Sequence, residues 1–108
     1  MHSALALLQQ WYAAQCNGGW EHGSGVKIET LDNPGWLVKI DLAGTALEGR
    51  EFTSVTEGLE RREGFDFPSS ADWHSISVKG STFEAAGDPA KLEFILRKFL
   101  DWAEQPGR

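Results

Sequence analysis

Apolar residues near the N-terminus recur with the spacing of one face of an α-helix. Ser3 can cap this helix, and Asn17-Gly18-Gly19 can end it, because Asn and Gly readily adopt the left-handed conformation. The stripe predicted to be buried consists of Leu5, Leu8, Trp11 and Tyr12, widened by Ala4, Leu7 and Gln15. The pattern therefore predicts a helix that runs to about Cys16.

Beyond Gly25 the apolar period changes from 3.6 to 2, which is typical of β-strands. One strand begins at Val26, and a second carries Trp36, Val38, Ile40 and Leu42 on its inner face. Between them, Asp32-Asn33-Pro34-Gly35 favours a turn, because Pro34 keeps Asn33 extended and Gly35 can take positive φ. Pairing Ile28 with Val38 keeps the apolar side chains on one face, so we expect an antiparallel hairpin in that register.

The second half of the chain predicts further strands. A weak third strand covers Glu51–Thr56, and residues 57–72 read mostly as loop because Gly, Pro and mixed charge interrupt them. Trp73–Lys79 and Thr82–Ala86 flank Gly80-Ser81, which suits a type II′ hairpin turn. The expected facing pairs are Val78 with Phe83 and Ile76 with Ala85.

The C-terminal segment predicts a second amphipathic helix. Asp88 is expected to cap it, with Pro89 at its first position, and it ends near Glu104, before Pro106-Gly107. Its apolar stripe consists of Leu92, Ile95, Leu96, Phe99, Leu100 and Ala103. The whole pattern predicts a single α+β domain over residues 1–108: an N-terminal helix, a sheet of about five antiparallel strands and a C-terminal helix, with both helices packed on the apolar face of the sheet.

Composition limits the class of protein. The chain has 108 residues, 41% of them hydrophobic, which is enough for a core without metals or crosslinks. Its single cysteine excludes an internal disulfide, and the N-terminal apolar run is too short for a secretory signal. No stretch approaches the roughly 20 apolar residues that cross a bilayer. We therefore expect a cytoplasmic protein with no membrane partner.

The negative charge is concentrated in the middle of the chain. Residues 41–72 contain eight acidic residues against three arginines, so they carry −5 of the total of −6. This balance argues against direct nucleic-acid binding, which needs clustered Lys and Arg. The acidic stretch is either a solvated face or a surface that attracts a basic partner. Its acids are Asp41, Glu48, Glu51, Glu57, Glu60, Glu63, Asp66 and Asp72.

Candidate catalytic and metal-binding groups are few. The sequence has no GxSxG, P-loop, HExxH or CxxC motif, and His2 and His74 lie far from Cys16 and His22, so no cofactor or metal is expected. The C-terminal end of a helix disfavours a thiolate, so Cys16 is expected to be a small buried core residue. A small enzyme or ligand-binding domain would have to bring Glu21, His22 and Asp41 together in a cleft.

Five tryptophans are present, and four of them follow the predicted core stripes: Trp11, Trp36, Trp73 and Trp102. Trp20 differs, because it follows two glycines and precedes Glu21-His22-Gly23. A tryptophan in such a connection either fills a gap in the core or contacts a partner, since aromatic residues dominate binding hot spots. Both interpretations stay open.

Two strings, Gln15–His22 (QC-x-G-x-WEH) and Leu31–Trp36 (LDNPGW), resemble the immunity protein 53 family. The opening Leu8–Tyr12, Trp73 and the closing Leu92…Phe99-Leu100-Asp101-Trp102 are also similar, so the resemblance runs nearly full length. Members are predicted antidotes in bacterial polymorphic toxin systems. Acidic residues are common in that family where Asn17 and Gly19 stand, and an aromatic residue is common at Ser24.

The resemblance implies an immunity protein that binds and neutralises a cognate toxin domain, with its acidic surface covering the active site. A basic nuclease would suit such a surface. Candidate contacts are Trp20, Glu21, His22, Asp32, Asn33, Glu48, Glu51, Glu57, Glu60 and Glu63. Alternatively, Cys16, Trp20 and His22 lock the helix-to-strand connection, or the chain is a structural module that oligomerises through its strand edges. A monomer and a homodimer are both compatible with the sequence.

Overall fold

A computed structural model describes residues 3–105, and only the backbone at residues 61, 62, 65 and 66. His2 and Pro106-Gly107 therefore lie outside the described residues. The elements are α1 (Ala4–Gln15), α2 (Trp20–Gly23), β1 (Val26–Leu31), β2 (Gly35–Asp41), β3 (Val55–Glu57), β4 (Leu59–Arg62), β5 (Phe65–Pro68), β6 (His74–Lys79), β7 (Thr82–Gly87) and α3 (Leu92–Ala103). The predicted α+β fold is confirmed.

Five strands form one antiparallel sheet in the order β1-β2-β7-β6-β3. The two predicted hairpins have the predicted registers, with Ile28 opposite Val38 and Ile76 opposite Ala85. Gly80 has φ of 62°, as the first central position of a type II′ turn requires. Alternation of apolar and polar residues thus fixed these registers, because a slip of one residue would expose the apolar set.

Gly35 is required for a different reason from the one predicted. It does not have positive φ; it is the first residue of β2, in extended conformation. A Cβ at this position would overlap the carbonyl oxygen of Gly87 and lie 3.2 Å from Cζ2 of Trp73. The absence of a side chain therefore lets β2, β7 and the Trp73 ring approach closely.

The core lies between the sheet and the two long helices. α3 packs against β7, and α1 packs against α3. Ile95, Leu96, Phe99 and Leu100 of the predicted α3 stripe are buried. Buried residues of all these elements form one cluster: Ala4, Leu8, Val38, Ile40, Leu42, Leu47, Ile76, Phe83, Ala85, Ile95, Leu96, Phe99, Leu100 and Trp102.

The predicted stripe of α1 is wrong at two positions. Leu5 is 59% exposed and Tyr12 39% exposed, whereas Ala4 and Leu8 are buried. The apolar arc of α1 is wider than the surface that α3 can cover. Trp11 is on the covered side, with its ring centroid 5.0 Å from that of Phe99. Leu5 and Tyr12 lie on the uncovered flank of the helix.

The start of α3 also differs from the prediction. The helix begins at Leu92, and its N-cap is Lys91, which makes no capping bond with its side chain. Residues 88–91 instead form a turn, closed by the Lys91 N–H donating to the Asp88 carbonyl. The Asp88 carboxylate accepts from the backbone N–H of Ala90 at 2.8 Å and of Trp73 at 2.9 Å. Asp88 therefore caps a turn and joins it to β6, while Pro89 lies within that turn.

The segment 57–72, predicted to be mostly loop, contains a second sheet. β4 and β5 pair as a two-stranded antiparallel hairpin, joined by Glu63 and Gly64, whose φ values are 51° and 83°. Two consecutive positive φ values are typical of a type I′ turn. The third strand, predicted at Glu51–Thr56, is shorter and shifted, at Val55–Glu57. A Glu-Gly turn between two strands of four residues gives little signal in the sequence.

Candidate partner-binding surfaces

The connection between α1 and β1 is held by reciprocal hydrogen bonds. Asn17 Oδ1 accepts from the N–H groups of Gly19 and Trp20, at 3.0 and 2.9 Å. The two carboxylate oxygens of Glu21 accept from the N–H groups of Asn17 and Gly18, both at 2.9 Å. Aspartate at position 17 would offer the same acceptor, which agrees with the acidic residues expected there from the resemblance.

Glu21 is therefore occupied within this connection. Hydrogen bonds from its own backbone N–H and from those of Asn17 and Gly18 hold the pKa of its carboxyl below the ordinary value. The charged form is the one that accepts these bonds. The expected partner contact at Glu21 thus falls on a residue whose carboxylate holds the backbone that precedes α2.

Trp20 lies between α1 and the loop that follows β2. Its ring centroid is 6.1 Å from that of Trp11 and 5.9 Å from that of Tyr12. Its Nε1–H donates to the carbonyl of Ala43 at 2.9 Å. The side chain is half-buried, so it fills a gap at the edge of the core and leaves part of its ring accessible.

Cys16 is exposed, so the expectation that it is a buried core residue is wrong. It follows Tyr12 by four residues, on the flank of α1 that faces away from α3. Its Sγ lies 3.4 Å from the Tyr12 carbonyl oxygen.

Exposed groups gather around Trp20 at this end of the sheet. His22 is exposed on α2, and Glu48 lies in the loop that packs on Trp20, where its Oε1 accepts from the Gly44 N–H at 3.1 Å. We call Tyr12, Trp20, His22 and Glu48 the tryptophan surface. It combines aromatic rings with one carboxylate and one imidazole.

Asp32 and Asn33 lie at the opposite end of the sheet. They are exposed in the turn between β1 and β2, and β1 alone has six residues, or about 20 Å. Glu57 is at this same end of the sheet. It lies opposite His74, which lies opposite Gly87, which in turn lies opposite Trp36 near the start of β2. The structure therefore divides the predicted contacts between two ends of the sheet.

The β4–β5 hairpin begins beside Glu57, and we call residues 57–68 the acidic hairpin. Glu57, Glu60 and Glu63 are exposed on it. Phe67, opposite Glu60 in the register, is 46% exposed. This hairpin thus carries an exposed aromatic ring and, with four acidic residues against two arginines, a formal charge of −2 on a sheet of its own.

The base of the acidic hairpin is fixed against the segment that precedes β6. Gly58 has φ of 71°, and a Cβ there would overlap the carbonyl oxygen of Asp72. The Ser69 N–H donates to the Gly58 carbonyl at 2.8 Å. Only glycine permits this close approach, so the hairpin leaves the sheet at a defined point.

Glu51 lies beside the C-terminal end of α3. The indole N–H of Trp102 donates to its carbonyl at 2.9 Å, while its side chain is exposed. The neighbouring Arg50 donates to the carbonyls of Trp102 and Gln105 at 3.1 and 3.0 Å. A cation there satisfies carbonyl groups that a helix end leaves without partners.

An ion-pair cluster that the sequence pattern did not predict fixes the end of the sheet near the hairpin; Asp88 is buried in it, whereas Asp72 is exposed. Lys91 contacts both Asp88 and Asp72, and Asp88 is 4% exposed. The Lys91 bond, together with the N–H groups of Ala90 and Trp73, lowers the pKa of Asp88. Bonds to Asp72 and Asp88 raise the pKa of Lys91. Only the spacing of Asp88 and Lys91 signalled such a pair.

Two of the three groups that a catalytic cleft would need, Glu21 and Asp41, are hydrogen-bonded to the backbone. Within residues 3–105, no three His, Cys, Asp or Glu side chains are placed to hold a metal ion together. Asp41 Oδ2 accepts from the Gly25 N–H at 2.9 Å, and both oxygens of Glu21 bind backbone amides. These two carboxylates therefore shape the backbone around them. No helix in the described part of the chain is long and apolar enough to cross a membrane.

Comparison with protein families identifies the family to which the sequence is similar. The sequence model of immunity protein 53 matches residues 5–104. Searches of curated proteins and of solved structures found no significant match.

Proposed function

The chain belongs to the immunity protein 53 family, and from this premise we propose that it binds and neutralises a cognate bacterial toxin domain. The family match over residues 5–104 is the observation that carries the proposal, since membership implies a toxin partner. The protein would act by binding and would catalyse nothing. Backbone amides donate to both oxygens of Glu21 and to Oδ2 of Asp41, which supports structural roles for these two carboxylates.

The acidic hairpin is the surface we assign to the toxin first. An isolated two-stranded hairpin has little stability of its own, so this hairpin adds little to the stability of the fold. Its fixed base and its exposed acidic residues therefore favour a role in contacting the toxin. Phe67 offers an exposed aromatic ring opposite Glu60, and Glu57 and Glu63 are exposed at the base and in the turn of the hairpin. Interfaces commonly combine a central aromatic residue with complementary charge at the rim.

Asp32 and Asn33 can belong to the same interface. They are at the same end of the sheet as the acidic hairpin, but on the opposite edge. Four strand spacings of about 4.8 Å separate the edges, or about 20 Å. An interface that buries about 800 Å² on each partner is wide enough to span this distance.

We assign a different role to the tryptophan surface. Trp20 and Glu21 hold the connection between α1 and β1, whereas Tyr12, His22 and Glu48 offer a secondary contact area. The proposal includes the expectation of a cytoplasmic location, and of a toxin whose active site is basic because it acts on nucleic acid. Carboxylates would then occupy positions that phosphates occupy during the reaction.

We expect the cognate toxin domain to be encoded beside the gene for this chain, and its association rate with the chain tests this assignment. The test variant is Glu60→Gln with Glu63→Gln. Its matched control is Asp101→Asn with Glu104→Gln, which removes the same charge at the far end of α3. At low salt we expect the hairpin variant to associate about tenfold more slowly, and the control to stay within about twofold of the unmodified protein.

Two outcomes would contradict the proposal at different levels. Equal effects of the hairpin variant and its control would show that only total charge matters, and would remove the acidic hairpin from the interface. No binding to any effector domain encoded beside the gene would reject the proposed function itself. Raising the salt concentration should slow association of the unmodified protein steeply, and less so for the hairpin variant.

A further inference from the structure

β1 forms an edge of the main sheet and is exposed along its length. It pairs with β2, and no described strand lies on its other side. Four consecutive residues, Lys27 to Thr30, are exposed. Ile28 is 36% exposed although it lies on the apolar face of the sheet, because α3 packs two strands away, on β7. An apolar side chain and an unpaired backbone edge therefore occur at the same place.

The direction of the free backbone groups follows from one hydrogen bond. The Asp41 N–H donates to the Gly25 carbonyl at 3.0 Å, which marks these opposite residues as a hydrogen-bonded pair. Such pairs alternate along an antiparallel ladder. Lys27, Glu29 and Leu31 therefore direct their backbone groups to β2. Val26, Ile28 and Thr30 direct theirs outward, away from the sheet.

We propose that two copies of the chain pair antiparallel through β1, about a two-fold axis at Ile28, to form one continuous sheet. Ile28 would exchange both hydrogen bonds with Ile28 of the second copy. Val26 would do the same with Thr30 of the second copy. The side chains of Lys27 and of Glu29 in the second copy would then lie directly opposite each other, in the closer, non-hydrogen-bonded kind of pair.

The charges on β1 select this register among the alternatives. An axis at Lys27 would oppose two lysines, and an axis at Glu29 would oppose two glutamates. An axis at Val26 or Thr30 would leave both charges without a charged partner on the other strand and would shorten the overlap. Only the axis at Ile28 joins opposite charges in two symmetric pairs and brings the two exposed isoleucines together.

The contact is small, so the dimer should be weak. Three residue pairs give six backbone hydrogen bonds over a strand of about 20 Å. The buried area falls below the 1,200 Å² or so of a stable complex, and we expect a dissociation constant of about 10–100 µM. A competing explanation is that Lys27 and Glu29 protect the edge from pairing, as charged residues on edge strands often do.

Charge exchange at two positions distinguishes these explanations, with sedimentation equilibrium of the purified chain from about 1 µM to about 1 mM. Lys27→Glu alone and Glu29→Lys alone should each weaken dimerisation about tenfold or more, because like charges then face each other. The double variant should recover the original constant within about threefold. An equimolar mixture of the two single variants should form a heterodimer as stable as the original dimer.

Lys98→Glu, on the exposed face of α3, is the matched control and should leave the dissociation constant unchanged. A chain that stays monomeric at every concentration would overturn the proposal and favour protective charges. A dissociation constant that the charge exchanges leave unchanged would overturn the proposal too, because the dimer would then form through another surface. The experiment needs no toxin, so its failure would leave the proposed function intact.

Discussion

Replacing Trp20 by alanine removes a half-buried ring and one hydrogen bond. A fully buried tryptophan costs about 3–5 kcal/mol on truncation to alanine, and about half of this, some 2 kcal/mol, applies to Trp20. Loss of the bond from Nε1 to the Ala43 carbonyl adds about 1 kcal/mol. We therefore expect the free energy of unfolding to fall by about 3 kcal/mol, and Tm by about 15 °C.

Urea unfolding of three variants measures this effect. Trp20→Phe keeps most of the ring contacts with Trp11 and Tyr12 and loses the hydrogen bond, so it should cost about 1 kcal/mol. Tyr12→Ala is the neighbouring control; its ring is 39% exposed, and we expect a loss below about 1 kcal/mol.

The refuting result concerns the packing of Trp20. If Trp20→Ala unfolds within about 0.5 kcal/mol of the unmodified protein, the ring contributes no packing and our structural assignment is wrong. In that refuting case the ring would belong to the interface, and the variant would lose toxin binding even at a temperature where it is fully folded. Our structural assignment predicts the opposite: the folded variant should still bind the toxin.

Further predictions concern backbone contacts and the buried ion pair. In urea unfolding, Gly35→Ala should lower the free energy of unfolding by more than about 2 kcal/mol, because its Cβ would overlap the Gly87 carbonyl. The control Gly23→Ala, which has no atom within 4 Å of the new Cβ, should change it by less than about 0.5 kcal/mol. Equal losses in the two variants would disprove the close approach of β2 and β7. Asp88→Asn should cost about 3 kcal/mol at pH 7, because Lys91 and two backbone amides lose a buried carboxylate. Because the pKa of Asp88 is lowered in the folded state, this contribution is present above about pH 4 and is lost as the pH falls through the folded-state pKa. The difference in free energy of unfolding between Asp88→Asn and the unmodified protein should therefore shrink in acid. A difference that stays constant down to about pH 2 would show that the charge of Asp88 does not stabilise the fold.

The parts of the fold with strong periodicity were predictable from sequence. The β1–β2 and β6–β7 hairpins have the expected registers because apolar and polar residues alternate on each strand. The apolar stripe of α3 likewise identified its buried face. In these segments the hydrophobic effect and local geometry favour the same arrangement.

The predictions from sequence were wrong where tertiary packing determines which residues are exposed. The sequence shows the apolar arc of α1 but does not show that α3 covers only part of it, which left Leu5, Tyr12 and Cys16 exposed. The acidic hairpin was missed because its strands have only four residues each and its turn is Glu-Gly rather than Asn-Gly or Asp-Gly. Gly35 was predicted to lie within the turn, but it is the first residue of β2, and glycine is needed there because of the contact with another strand.

The candidate contacts were recognisable as residues of interest, yet their arrangement was not predictable. Trp20 and Glu21 stood out through the resemblance, and the backbone geometry then assigned them to the connection before β1. Asp32 and the acids of residues 57–63 were expected to act with Trp20. The structure places these two groups at opposite ends of the sheet, which depends on strand order rather than on composition.

Survival of cells that express the neighbouring effector domain tests the central claim most directly. With this chain co-expressed, we expect the cells to grow and the two proteins to be recovered as a complex containing one copy of the effector domain per chain. Death of the cells with every effector encoded beside the gene, while the chain is present and folded, would contradict the claim that it is an antidote.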